Sequence, residues 1–320
     1  MNTSEIEARV ERLERANRRL NRGGSLKEEP MREIRPKLLS VLIALVAFTC
    51  AVSYAQEKGP TELNTLLMES TFKIEGLGSL GTAFVLGRPF PNEPSKARYV
   101  LVTAAHVLED IKGDTAVIHL RFRQGPSQWS RLPYPIQIRD GQHPLWLKHP
   151  QADVAVMYIR VPKDVAIPLR SVALLADDRM LAQFEIHPGD ELKCLGYPFG
   201  AESSPAGFPI LRSGKISSYP LIPTSDIKTF LFDFRIFSGN SGGPVYFVES
   251  NRTYGGSTHL GQTIQFIVGL VSQEQVLKQP IAEPYVKGER QYQLGLAQVV
   301  HASLIKQAID LLPSPDSIPD

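Results

Sequence analysis

From about residue 71 onward, the chain is divided into short apolar runs that are separated by turn-forming residues. Proline and glycine are abundant, at 25 and 24 of the 320 residues, and they lie between most of these runs. Short apolar runs with frequent turn signals favour strands over long helices. The sequence therefore predicts an all-β architecture for the greater part of the chain.

The amino-terminal segment, residues 1–37, differs from the rest in its charge. It holds ten Lys/Arg and seven Asp/Glu, and a row of apolar residues with one asparagine recurs at heptad spacing: Ile6, Val10, Leu13, Asn17 and Leu20. This pattern predicts a charged cytoplasmic helix. The helix could be solvated on all sides, or it could form a short coiled coil that would make the protein a homo-oligomer.

An uncharged apolar run, Leu38–Ala55, follows this segment. As a helix it would be about 27 Å long, close to the thickness of the hydrocarbon core of a bilayer. Arg32, Arg35 and Lys37 precede it, so we expect the amino end in the cytoplasm and the later residues outside, in the periplasm if the protein is bacterial. Ser53-Tyr54-Ala55 also resembles a signal-peptidase site, which leaves two alternatives, a transmembrane anchor and a cleaved signal peptide.

The rest of the chain divides into a linker with a short lead-in (residues 56–70), a catalytic domain (71–312) and a polar tail (313–320). Beyond residue 37 the charges nearly balance, with 25 Lys/Arg and 26 Asp/Glu, so no nucleic-acid partner is expected. The two cysteines, Cys50 and Cys194, do not predict a disulfide framework. Because no ligand spacing typical of a metal site occurs, neither a metal nor an organic cofactor is predicted.

The most specific motif is Gly239-Asn240-Ser241-Gly242-Gly243-Pro244, which precedes the apolar run Val245-Tyr246-Phe247. Glycines on both sides of Ser241 predict a tight turn in which the N–H groups of Gly239 and Ser241 converge beside the serine hydroxyl. Such a turn forms an oxyanion hole for a tetrahedral intermediate. Taken alone, the motif is also compatible with a glycine-rich hairpin loop that has no catalytic role.

A nucleophilic serine needs a base and a group that orients it. His106 follows the apolar run Tyr99–Thr103 and two alanines, which leave room for its ring to face a cleft. Asp153 stands directly before the apolar run Val154–Ile159, where an unpaired carboxylate would be costly. The sequence therefore predicts that His106 is the general base and Asp153 its partner in a catalytic triad with Ser241.

Several motifs between about residues 71 and 309 together resemble the trypsin/chymotrypsin-like serine peptidases, and within them the HtrA (Deg) type. The order His, Asp, Ser is that of the family. The matching segments are Gly81–Val85, Thr103–His106, Ala152–Val156, Leu195–Gly200 and Gly239–Gly243.

The resemblance implies two antiparallel β-barrels with the active site between them and a closing C-terminal helix at Leu304–Leu312. It also implies that the strand leading to Ser272 pairs with the substrate backbone, so Ser272, Gln273 and Glu274 are expected to bind substrate. Arg235 falls where relatives line the primary specificity pocket. It could attract an acidic side chain or pair with Glu274.

Two features depart from the HtrA pattern. Only a short tail follows the predicted helix, so no PDZ-like domain is expected, and a long hairpin, Glu249–Gly261, separates Ser241 from Ser272. In relatives that are activated by a newly freed amino terminus, an aspartate precedes the nucleophile. The residue at this position is Asn240, and we expect the turn to be ordered without such activation.

These observations predict a serine endopeptidase that hydrolyses polypeptides and has its catalytic domain outside the cytoplasm, either anchored in the membrane through residues 38–55 or secreted. The alternative is a catalytically silent protein of the same fold that binds peptides or acts as a scaffold at the membrane. The intact set of catalytic groups favours the enzyme.

Overall fold

The structure, a computed structural model, describes residues 62–125, 128–168, 170–280 and 289–318. Within these residues the chain forms fifteen strands and four α-helices. The helices are α1 (Leu63–Ser70), α2 (Ala105–Asp110), α3 (Asp178–Gln183) and α4 (Ala302–Leu311). The strands are β1 (Thr71–Leu77), β2 (Ser79–Pro89), β3 (Ala97–Thr103), β4 (Lys112–Gly125), β5 (Gln128–Gln137), β6 (Arg139–Asp140), β7 (His143–Pro144), β8 (Leu147–Lys148), β9 (Ala155–Tyr158), β10 (Glu191–Gly196), β11 (Ile210–Ile216), β12 (Thr229–Asp233), β13 (Pro244–Tyr254), β14 (Ser257–Pro280) and β15 (Glu289–His301).

The strands form two main sheets within one compact unit, and all described pairs within these sheets are antiparallel. The first has the order β5-β4-β1-β2-β3-β9-β8, and the second closes into a barrel in the order β10-β11-β12-β15-β14-β13. Buried apolar residues of both sheets form one continuous core, as the short apolar runs of the sequence require. The prediction of a mainly β fold with a C-terminal helix is therefore confirmed.

The prediction of two barrels is wrong for the first sheet, which is open. One of its edge strands, β5, contains Pro133 and Pro135, which remove two N–H donors from the same edge. The other edge strand, β8, has only two residues. Neither edge therefore offers a continuous row of hydrogen-bonding groups through which the sheet could close.

The two segments predicted to flank the catalytic domain both contact it. The last eight residues of the predicted linker form α1, because Leu63, Leu66 and Leu67 share one helix face and pack into the core. The predicted polar tail is held against the first sheet, where the Arg88 guanidinium donates to the carbonyl oxygen of Pro313 (3.0 Å). The side chain of Pro315 is buried there.

The predicted amino-terminal helix (residues 1–37) and the apolar segment Leu38–Ala55 lie outside the described residues. None of the helices between residues 62 and 318 combines the length and the hydrophobicity needed to cross a bilayer.

Candidate active site

The pairing of β3 with β9 brings His106 and Asp153 together. Thr103, the last residue of β3, lies opposite Ala155, the first residue of β9. Since the strands are antiparallel, the residues that follow β3 meet those that precede β9. His106 lies in the first turn of α2, with its Nδ1 atom 2.7 Å from Oδ2 of Asp153. Its backbone N–H donates to Oδ1 of the same carboxylate (3.0 Å).

The contact between His106 and Asp153 shifts the pKa of each residue so that its charged form is favoured. The hydrogen bond to Asp153 raises the pKa of His106, against the opposing effect of burial. Burial alone would raise the pKa of Asp153, but hydrogen bonds from His106 and Ser272 outweigh it and lower the pKa to about 2. Asp153 is therefore ionised at neutral pH, and as a pure acceptor it places the imidazole proton on Nδ1. The Nε2 atom of a neutral His106 is then free to accept a proton.

The turn Gly239–Gly243, which we call the nucleophile turn, connects β12 to β13 and packs against the first sheet. The N–H of Thr82 donates to the carbonyl oxygen of Ser241 (2.8 Å). A Cβ atom at Gly242 would lie 2.1 Å from the Thr82 carbonyl oxygen and 2.9 Å from the nitrogen of Ala104. Because Ala104 is two residues before His106, glycine at position 242 allows the turn to approach the histidine.

Ser272 connects Ser241 to the pair formed by His106 and Asp153. The Ser241 hydroxyl donates to the carbonyl oxygen of Ser272 (3.0 Å), and the Ser272 hydroxyl donates to Oδ2 of Asp153 (2.6 Å). Of the hydrogen bonds between described residues, none joins Ser241 to His106. The structure thus brings the three predicted triad residues into one cluster, with the serine hydroxyl turned toward Ser272.

The two predicted oxyanion donors have the geometry of a tight turn. Gly239 has a φ of 95°, which favours glycine, and a Cβ atom there would lie 2.1 Å from the carbonyl oxygen of Tyr197. Within the described part of the chain, the N–H groups of Gly239 and Ser241 have no acceptor, whereas those of Asn240, Gly242 and Gly243 do. These two N–H groups are therefore available to an oxygen of a substrate.

The predicted substrate-binding residues have different environments. Gln273 is exposed and donates to the side chain of Gln298 (2.6 Å). Arg235 is exposed and donates to Gln293 (3.3 Å), so the pairing of Arg235 with Glu274 that the sequence allowed is not found. The Oε1 atom of Glu274 is buried and has no hydrogen-bond partner among the described residues.

A pocket of about 540 Å³ is lined in part by His106 and Asp153. Gln273 and Gln298 also line it, together with the acidic Asp110 and the basic Lys228. Its position next to His106 makes it a candidate subsite for a substrate side chain. Across the residues that the structure describes, no group of three His, Cys, Asp or Glu side chains converges in the manner of metal ligands.

The link through the Ser272 side chain was not predicted from the sequence, which assigned this residue to substrate binding alone. Tyr197 and Arg121, whose contacts are described below, were not predicted either. Arg121 did carry a signal in the sequence, because it interrupts the apolar pattern of β4. The structure shows that its side chain is only 2% exposed. A charged residue in a buried strand needs several hydrogen bonds, and this makes it a candidate for a structural or functional contact.

A family model described as a trypsin-like peptidase domain matches residues 81–255, a range that includes all three triad candidates. No curated protein matches the sequence at a significant level. Among solved structures, the chain is similar to Rv3671c from M. tuberculosis H37Rv, an inactive serine-to-alanine mutant (16% identity, TM-score 0.40). That match covers 82% of this chain and 94% of the other.

It is also similar to the thermostable serine protease AL20 from an extremophilic microorganism (11% identity, TM-score 0.39, covering 75% of this chain and 95% of the other). A third similar structure is the human heparin binding protein (14% identity, TM-score 0.40, covering 79% and 95%).

Proposed function

The chain belongs to the family of trypsin-like peptidase domains, and on this premise we propose that it is a serine endopeptidase with a triad of His106, Asp153 and Ser241. The observation that carries the proposal is the continuous series of hydrogen bonds from His106 through Asp153 and Ser272 to Ser241. It holds a base, the carboxylate that orients it and a hydroxyl on a glycine-rich turn within one cluster.

The proposed reaction begins with a rotation of the Ser241 side chain, which takes the hydroxyl from the Ser272 carbonyl oxygen to Nε2 of His106. His106 then removes the hydroxyl proton while the Ser241 oxygen attacks a peptide carbonyl. The imidazolium that forms is stabilised by Asp153, and it protonates the leaving amine as the acyl-enzyme appears. Water, activated by the same imidazole, hydrolyses the ester and restores Ser241.

The N–H groups of Gly239 and Ser241 are proposed to bind the oxygen of the tetrahedral intermediate. Both are unpaired within the described residues, and both belong to a turn whose conformation requires glycine. Donors that are already in place stabilise the developing charge without reorganisation, which is the reason such a pair accelerates acyl transfer.

Labelling with a fluorophosphonate tests this proposal, because only an activated serine reacts. The full-length protein in detergent should be labelled once and should hydrolyse denatured casein. Ser241→Ala should remove both activities. Ser250→Ala is the matched control and should leave both unchanged, since Ser250 is an exposed serine of β13 whose hydroxyl bonds, among the described residues, only to Thr263. Labelling of the Ser241→Ala protein at the normal rate would refute the mechanism, and an inert wild-type protein would support a binding function instead.

A further inference from the structure

A short turn after β10, Tyr197–Gly200, lies directly against the nucleophile turn, and we call it the supporting turn. The N–H of Phe199 donates to the carbonyl oxygen of Ser238 at 2.6 Å. Phe199 has a φ of 53°, an uncommon value for a residue other than glycine. Its side chain is 73% exposed, and its ring lies 5.0 Å from that of Phe237 between centroids. A strained backbone beside a candidate catalytic turn suggests a functional reason for the strain.

The bond from Phe199 determines the direction of an oxyanion donor. The Ser238 carbonyl and the Gly239 N–H belong to the same peptide unit, and in a trans peptide the two groups point in opposite directions. As long as Phe199 binds the carbonyl oxygen on one side, the Gly239 N–H must point to the other side. A rotation of this peptide would remove the N–H from the oxyanion hole and replace it with a carbonyl oxygen.

Buried side chains hold the supporting turn in place. The hydroxyl of Tyr197 lies 3.0 Å from the carbonyl oxygen of Gly207 and 3.1 Å from that of Thr71, and it accepts from the guanidinium of Arg121 (3.2 Å). Arg121 also donates to the carbonyl oxygens of Gly207 and Thr71, both at 2.7 Å. Its guanidinium carbon lies 4.4 Å from the ring centroid of Phe208. A buried arginine with this many acceptors fixes the segments that it joins.

We propose that the supporting turn is a positioning element of the oxyanion hole, in which the Phe199 N–H orients the Ser238–Gly239 peptide and Tyr197, held by Arg121, anchors the turn. This inference rests on the proposed peptidase function, and it names positioning residues that do not contact the substrate. Their contribution should therefore appear in the catalytic rate and be absent from substrate binding and from the titration of His106.

The first test compares Phe199→Val with Phe199→Asn in the full-length protein. Both substitutions remove the exposed ring, but a β-branched residue disfavours positive φ, whereas asparagine adopts it readily. Phe199→Val should lower kcat for casein by about 10- to 100-fold, with KM changed less than about twofold, since loss of a whole oxyanion donor costs about 10²–10³. Phe199→Asn should restore most of this rate. The pH at which activity is half-maximal on the acidic side should be the same in both.

The second test removes the anchor. Tyr197→Phe should lower kcat by about tenfold through misplacement of the donor. Its matched control is Tyr246→Phe, because Tyr246 is also fully buried in the barrel and its hydroxyl bonds to Asn64 (3.0 Å), away from the supporting turn. Each variant loses one buried hydroxyl, and both should shift the urea midpoint in the same direction. Only Tyr197→Phe should lower kcat and the rate of fluorophosphonate labelling.

Equal kcat values for Phe199→Val and Phe199→Asn, or a loss expressed only in KM, would overturn the proposal. If Tyr197→Phe does not fold, the comparison of Phe199→Val with Phe199→Asn tests the proposal by itself. An inactive wild-type protein would refute the proposed peptidase function itself, which is a different result from an active enzyme that is indifferent to Phe199.

Discussion

Replacing Asp153 with asparagine should separate the two roles that the structure gives this carboxylate. Oδ1 accepts from the backbone N–H of His106, and Oδ2 accepts from both His106 Nδ1 and the Ser272 hydroxyl. In the asparagine variant the amide oxygen can replace only one of these two atoms. If it accepts the backbone N–H, the amide NH₂ faces Nδ1 and forces the imidazole proton onto Nε2, where His106 can no longer accept a proton from Ser241.

The expected loss in kcat is about 10⁴-fold, the magnitude that a wrong imidazole tautomer costs in a serine protease triad. The variant should also be less stable. The pKa of Asp153 falls from 3.8 to about 2 on folding, a difference worth about 2 kcal/mol at neutral pH. A depressed pKa stabilises the fold above the unfolded value of 3.8, and this contribution is lost as the pH falls toward 2.

The pKa shift of His106 has the opposite sign and therefore affects stability over a different range of pH. Its pKa is raised, chiefly by the bond to Asp153, so its contribution is complete below the unfolded value of 6.5 and is lost as the pH rises through the folded value. The stability difference between wild type and Asp153→Asn should therefore be widest between about pH 4 and 6.5. The pKa of His106 should fall in the variant, which moves the acidic limb of kcat/KM to lower pH.

Casein hydrolysis measured from pH 5 to 9 and urea unfolding at several pH values would provide both quantities. Asp110→Asn is the control, because this exposed carboxylate raises the pKa of His106 only through its charge. It should move the acidic limb slightly in the same direction without the large loss of kcat. The reasoning would be refuted by an Asp153→Asn protein that keeps its activity, or by an acidic limb that moves to higher pH.

Three further expectations follow. Arg252→Met should lower the free energy of unfolding by about 3–5 kcal/mol in urea titrations. The substitution removes the guanidinium that lies 2.7 Å from the buried carboxylate of Asp190. A loss below about 1 kcal/mol would contradict this expectation. Gly242→Ala should abolish casein hydrolysis, because a Cβ atom there would collide with the Thr82 carbonyl oxygen. Gly141 also has a positive φ but has open space around it, so Gly141→Ala should lower the free energy of unfolding by only about 1 kcal/mol and keep activity. Full-length protein should stay with membranes after a high-salt wash if Leu38–Ala55 is an anchor, and a soluble form beginning at Gln56 would identify a cleaved signal peptide.

The proximity of His106 and Asp153 was predictable from local sequence because strand ends determine it. His106 follows an apolar run and Asp153 precedes another, and antiparallel pairing places such positions at the same edge of a sheet. The nucleophile turn was predictable for a similar reason, since its glycines mark backbone conformations and close approaches that other residues cannot adopt. Both predictions use signals that lie within about ten residues of the functional group.

Contacts between distant segments could not be predicted in this way. The Ser272 side chain reaches Asp153 across 119 positions, and Arg121 reaches Tyr197 across 76. The order of the strands decides these contacts, and neither residue carries a local pattern that names its partner. The closure of the first sheet was mispredicted for a related reason, because the effect of Pro133 and Pro135 depends on β5 lying at an edge.

The nucleophile turn is held by hydrogen bonds from within the domain. Asn240 is 1% exposed, and its Nδ2 atom has no partner among the described residues, so an aspartate in this place would bring a buried charge that needs a cation. The turn is held instead by neutral hydrogen bonds from two sheets. Thr82 of β2 donates through its N–H and hydroxyl to the carbonyl oxygens of Ser241 and Gly239, and Val271 of β14 exchanges hydrogen bonds with Gly242 and Gly243. Because β2 belongs to the first sheet and β14 to the barrel, these hydrogen bonds join the turn to both sheets. An uncharged Asn240 therefore agrees with the expectation that this turn is ordered without a newly freed amino terminus.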